Sequence, residues 1–183
     1  EVEMENELEQ TAMIIEIYER RNYINRKSPH HKYQHHIVAA NLDQSMLFAT
    51  MKEPRTSQGF IDRFVIASEA YHIPSVIVFN KSDVYRKKEI DLYEEWKDMY
   101  EAVGYKVFLM SMEKNEGVDA VKDMLKDKIT LVSGHSGVGK STFINILQGL
   151  DKPDSGKINI GDTVIFGNYS QTGLEVKTDV RVI

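Results

Sequence analysis

The stretch Gly134-His135-Ser136-Gly137-Val138-Gly139-Lys140-Ser141 constrains this chain more than any other. It satisfies the phosphate-binding pattern G-x-x-x-x-G-K-[ST] in full. An apolar strand candidate, Ile129-Thr130-Leu131-Val132, precedes it, and an apolar helix carrying Phe143, Ile144, Ile146 and Leu147 follows. A loop of this kind works only between a strand and a helix. Glycines let successive N–H groups curl toward phosphate oxygens, and the helix start adds a partial positive charge. Lys140 is expected to reach the β- and γ-phosphates, and the Ser141 hydroxyl to ligate Mg²⁺. The phosphate site is read as Gly134 through Ser141 together with Thr142.

The surrounding pattern predicts an α/β fold of the P-loop NTPase type, with a mostly parallel, doubly wound sheet. Strand candidates at Met46–Ala49, Ser75–Phe79, Lys106–Met110 and 129–132 alternate with helices over Phe60–Tyr71, Ile90–Tyr100 and Gly117–Lys126. Such alternation implies right-handed crossovers between parallel strands. Ser75-Val76-Ile77-Val78-Phe79 is continuously apolar, as a strand buried on both faces must be. Met46, Met51, Met110 and Met112 are read as core or near-core residues. Upstream, Glu1–Glu5 and Ala12–Tyr18 form a candidate β-hairpin, and Arg20–His36 a basic connector. Downstream, Lys157–Ile160 and Thr163–Phe166 look like an antiparallel pair.

A phosphate loop does not choose a base. Asn80-Lys81-Ser82-Asp83 follows the 75–79 strand, at the sheet edge where open α/β sheets bind ligands. An ionised Asp83 would accept from the N1–H and 2-amino group of guanine. Adenine offers neither donor there, and the carboxylate would stay desolvated and unpaired. Lys81 would lie along the base plane, and Asn80 would tie the base loop to the phosphate loop. Ser111-Met112 follows the next strand. It is read either as a backbone donor to the guanine O6 or, for Ser111, as a helix cap. GTP or GDP with Mg²⁺ is the expected ligand.

The base reader precedes the phosphate loop, the reverse of the usual GTPase order. That order, with Asn41-Leu42-Asp43-Gln44 and Pro54-Arg55-Thr56-Ser57-x-x-x-Ile61-Asp62-Arg63-Phe64 upstream, resembles the circularly permuted GTPases that mature the small ribosomal subunit. The resemblance covers about residues 12–145. It implies GTP hydrolysis stimulated by the small ribosomal subunit, rRNA contact, an N-terminal OB-fold and a following zinc-binding domain. Residues 1–36 then read as an OB-fold remnant and basic linker, and 37–183 as the permuted GTPase domain. The family's zinc site is absent from this chain.

After about residue 145 the pattern departs from that family, and the chain reads as incomplete or chimeric. No Asp-x-x-Gly follows Ser141. Instead Leu147-Gln148-Gly149-Leu150, Pro153-Asp154-Ser155-Gly156-Lys157-Ile158 and Asn168-Tyr169-Ser170-Gln171 resemble an ATP-binding cassette of the translation-associated F subfamily. The resemblance would place Gln171 near Mg²⁺ and the attacking water. No catalytic residue is assigned. A nucleotide-binding module without turnover, or a cassette-type ATPase fragment, stands as the alternative to a GTPase.

The remaining signals concern partners. The net charge of −5 argues against indiscriminate nucleic-acid binding. Even so, Arg20, Arg21, Arg26, Lys27 and Lys32 stand with Tyr23 and Tyr33 in a segment without acids, as either an rRNA contact or a solvated linker. His30, His31, His35 and His36 lack a completing carboxylate or cysteine, and are read as solvated or RNA-facing rather than metal-binding. There is no cysteine and no apolar run of the ~20 residues a membrane span needs, and no basic n-region followed by an apolar stretch marks a signal peptide. A cytoplasmic monomer that spans no membrane is expected.

Overall fold

The structure, a computed structural model, describes residues 2–6, 11–27 and 35–147. Its centre is a parallel four-stranded sheet. Strands β5 (Gln44–Ala49), β6 (Ser75–Phe79), β7 (Lys106–Leu109) and β8 (Thr130–Gly134) lie in the order β7-β6-β5-β8. They follow two antiparallel pairs, β1 (Val2–Asn6) with β2 (Thr11–Ile14) and β3 (Tyr23–Lys27) with β4 (His35–Ala40). Strand β5 is the keystone, pairing in parallel with β6 on one side and β8 on the other.

Alternation along β5 and β6 creates two cores, one on each face. Leu47, Ala49, Ile77 and Phe79 point to the face covered by α1 (Gln58–Glu69) and α2 (Lys87–Ala102). Tyr93 and Trp96 of α2 pack edge-on and tilted against Phe79, with ring centroids 5.5 and 6.2 Å away. Met46, Phe48, Val76 and Val78 point to the other face, covered by α3 (Val118–Asp123) and α4 (Lys140–Leu147). There Phe48 meets Phe143 of α4 at 5.1 Å. Phe48 and Phe79 are fully buried, and each contributes about 1.5–3 kcal/mol relative to an exposed ring. The expected doubly wound sheet is therefore present.

Element ends differ from expectation for local reasons. Helix α2 begins at Lys87 rather than Ile90, because the Glu89 carboxylate accepts the Arg86 backbone N–H at 2.9 Å and caps the first turn. Strand β8 runs on to Gly134, which pairs with Phe48, so the phosphate loop leaves directly from the sheet. The basic stretch read as a connector contains strand β3, which pairs with β4 across the expected boundary at residue 37. Residues 15–18, expected to continue the first hairpin, have no regular structure, and Ile15, Ile17 and Tyr18 are exposed. The expected strands at 157–160 and 163–166 lie outside the described residues.

Polar contacts fasten the β3–β4 pair to the sheet. Asn22 exchanges two side-chain bonds with the Leu42 backbone, both 2.8 Å. The Tyr71 hydroxyl donates to Asn25 Oδ1 at 2.6 Å. Asp43 takes the Ile129 N–H at 2.8 Å with one oxygen and the Arg21 guanidinium at 3.2 Å with the other. The Ile129 amide, then Arg21, hold the Asp43 carboxyl below its ordinary value. Such a group stabilises the fold above its unfolded pKa, and that contribution is lost as pH falls through the folded value. We expect the thermal midpoint of wild type to fall more between pH 7 and pH 3 than that of Asp43→Asn. Parallel melting curves for the two proteins would contradict this.

Candidate functional site

All four parallel strands point their carboxyl ends the same way, and the loops after β6, β7 and β8 converge there on a cleft of about 820 Å³. Asn80, Lys81 and Asp83 line it from the loop after β6, and Met112 from the loop after β7. Gly134, Ser136, Gly137 and Gly139 line it from the phosphate loop, with Lys140, Ser141 and Thr142 at the start of α4. Of the expected site residues, Ser82, Ser111, His135 and Val138 do not face the cleft. Val84 and Glu113 do, and were not anticipated.

Each loop is shaped by backbone demands. Gly134, Gly137 and Gly139 have φ of 148°, 81° and 96°, where a side chain is strained. A Cβ on Gly139 would collide with both the Asn80 amide and the Met112 methyl, so only glycine lets the three loops meet. Val138 is fully buried and pins the loop into the core on the α3 and α4 face. Its carbonyl accepts the Asn80 Nδ2 at 2.9 Å, the expected tie between base loop and phosphate loop. Asn80 is itself fully buried, and its Oδ1 has no hydrogen-bond partner. A buried acceptor left open in a cleft is what a ligand-binding site leaves for its ligand.

Lys140 sits over the loop with Nζ donating to the Gly134 carbonyl at 2.7 Å and the His135 carbonyl at 2.5 Å. Burial lowers its pKa from the ordinary lysine value. An ammonium has three donors, so these two bonds orient the third. Across the cleft, Asp83 Oδ1 accepts the Ser111 hydroxyl at 2.6 Å, which holds the carboxylate in place. The same hydroxyl accepts the Lys114 N–H at 3.1 Å and closes the following turn, whereas the expected helix-cap role falls to Gly117 at the start of α3. Its own N–H is bonded to the Glu116 carbonyl at 2.9 Å and does not face the cleft.

The segment that braces these loops from outside includes Pro54–Thr56, which carried the family resemblance in the sequence but showed no structural role there. Thr50 and Thr56 close a tight loop after β5, with the Thr50 N–H bonded to Thr56 Oγ1 at 3.0 Å and the Thr50 hydroxyl bonded to the Pro54 carbonyl. Within it the Glu53 carbonyl accepts Lys81 Nζ at 2.7 Å. The Tyr85 hydroxyl donates to the Asn80 carbonyl at 2.5 Å and accepts the Met51 N–H at 2.9 Å. Burial, above all, raises the Tyr85 pKa far beyond the ordinary phenol range, so it stays protonated for that role. Among the described residues no group of three or more His, Asp or Glu could hold a metal ion, and His30 and His31 lie outside them.

The RsgA GTPase family profile matches residues 17–163, past the point where the sequence resemblance was expected to end. The chain is 54% identical over 134 residues to a Cytophaga hutchinsonii protein named small ribosomal subunit biogenesis GTPase RsgA, covering 73% of this chain and 44% of that one. It is 48% identical over 151 residues to the Bacteroides thetaiotaomicron small ribosomal subunit biogenesis GTPase RsgA 2, covering 82% and 49%. Among solved structures, it is similar to YjeQ from Thermotoga maritima, with TM-score 0.64 and 30% identity over 76% of this chain and 46% of that one. It is also similar to YloQ, described as a circularly permuted GTPase, with TM-score 0.64 and 27% identity over 81% and 48%. The chain spans about half the length of the curated relatives it matches.

The Asn80 bridge carries a direct prediction. Asn80→Ala leaves the Val138 carbonyl buried without its donor, which costs about 1–3 kcal/mol. Urea unfolding should show that loss; an unchanged midpoint would mean the bridge does not hold the two loops together.

Proposed function

Since this chain belongs to the RsgA GTPase family, we propose that it binds GTP, hydrolyses it to GDP and phosphate, and acts on the small ribosomal subunit. The observation that carries the reading is the single cleft in which Asp83 and the phosphate loop face each other, joined by the Asn80–Val138 bond.

In this reading Asp83, held by Ser111, accepts the N1–H and 2-amino donors of guanine. The open Asn80 Oδ1 gives the bound nucleotide a buried acceptor, and Met112 lies beside it in the wall. Lys81 is tethered at Glu53, with its stem along the cleft. Amides of the 134–139 loop and the start of α4 receive the phosphates, and Lys140 turns its third donor toward the β- and γ-oxygens. The Ser141 hydroxyl lines the cleft beside the phosphate loop, where it would hold Mg²⁺ together with phosphate oxygens. That ion would neutralise charge developing on the phosphoryl group.

The partner reading rests on the basic segment and the relatives' names. Arg21 is engaged by Asp43 and is less available to RNA phosphates. The rRNA contact is therefore assigned to Arg20, Arg26, Lys27 and Lys32, the last outside the described residues. We place the protein in the cytoplasm, as a monomer. No helix among the described residues is long and apolar enough to cross a membrane.

Phosphate release from GTP and from ATP, with and without small ribosomal subunits, tests the proposal. Subunits should raise GTP turnover, and Lys140→Ala should abolish it. Asp83→Ala should erase a guanine preference of roughly 10- to 100-fold, the size of a buried carboxylate left unpaired. Turnover of ATP equal to that of GTP in wild type would overturn the guanine reading.

A further inference from the structure

His135 occupies the phosphate loop yet does not face the cleft. Its exposed imidazole lies on the ring of Phe60 in the first turn of α1, with centroids 3.9 Å apart and planes 30° from parallel. Phe60 in turn packs against the core on the α1 and α2 face. One aromatic pair thus connects the sheet's core to the tip of the loop.

The position of that tip matters because the His135 carbonyl is one of the two that hold Lys140. The other, on Gly134, belongs to a residue fixed by its pairing with Phe48 at the end of β8. His135 has passed beyond the strand. It lies between Gly134 and Gly137, both at positive φ, where the chain has little local preference of its own. A brace from outside the loop sets the carbonyl's position, and Phe60 is in place to supply it.

We propose that Phe60 is a positioning residue for Lys140, acting through its stack on His135. Phe60 does not line the cleft; it acts by fixing the carbonyl that directs the ammonium toward the phosphates. This rests on the reading of residues 134–142 as the phosphate site.

The test is titration of the 183-residue chain with fluorescent N-methylanthraniloyl GDP. His135→Ala and Phe60→Leu should each weaken binding by about three- to tenfold, the size of a lost aromatic pair. The double variant should be no weaker than either single one, because both remove the same contact. His135→Phe, which keeps a ring on Phe60, should restore most of the affinity. Additive losses, or wild-type affinity in His135→Ala, would overturn the proposal. If Phe60→Leu does not fold, the contrast between His135→Ala and His135→Phe decides alone, since His135 is exposed. Lys140→Ala separates the underlying reading: GDP binding unaffected by that change would refute the phosphate site itself.

Discussion

A buried amide joins the two halves of this site. The loop after β6 and the loop after β8 are not neighbours in the sheet, because β5 lies between their strands. Asn80 crosses that gap with a 2.9 Å bond to the Val138 carbonyl, and Gly139 leaves the space that the crossing needs. Neither end has water to replace its partner, since Asn80 and Val138 are fully buried. The geometry of base loop and phosphate loop therefore stands or falls as a unit. The Thr50–Pro54 loop and Tyr85 serve the same unit from outside, by gripping Lys81 and the Asn80 carbonyl.

This arrangement shows why chain order can be permuted without loss of the site. In a parallel sheet every strand delivers its following loop to the same edge. What matters is which strands are adjacent, and β5 sets that by pairing with β6 and β8 at once. The alternating residues of β5 feed both cores, so the same strand that orders the sheet also anchors the helices on each face. At the opposite end Asp43 binds the Ile129 amide at the entry to β8 and receives Arg21 from the N-terminal segment. The strand that ends in the phosphate loop is thereby fixed at its start as well as at its tip.

Some of this was legible in the sequence and some was not, for identifiable reasons. Phosphate and guanine chemistry demand particular residue types at fixed spacing, so Gly134–Ser141 and Asn80–Asp83 stood out in the sequence, and the structure brings both segments to one cleft. Strand β6 was legible to the residue, because burial on both faces leaves an unbroken apolar run. Strand β3 was missed because Tyr23 and Ile24 are its only large apolar residues and cations follow them; its ladder comes from β4, a pairing the sequence pattern does not mark. The Lys81–Glu53 contact was invisible because the acceptor is a backbone carbonyl, which any residue type provides. Ser111 was read as a backbone donor to the guanine O6 or a helix cap; its hydroxyl instead holds Asp83 and closes the following turn, contacts that its residue type alone does not specify.

Amide chemical-shift mapping by NMR tests most directly whether two loops in reversed chain order form one guanine nucleotide site. GDP should shift Asn80–Asp83, Met112 and Gly134–Thr142 along a single saturation curve, whereas ADP at the same concentration should leave Asp83 and its neighbours unmoved. Shifts confined to Gly134–Thr142 with both nucleotides would show that the loop after β6 takes no part in recognition, and would contradict the account.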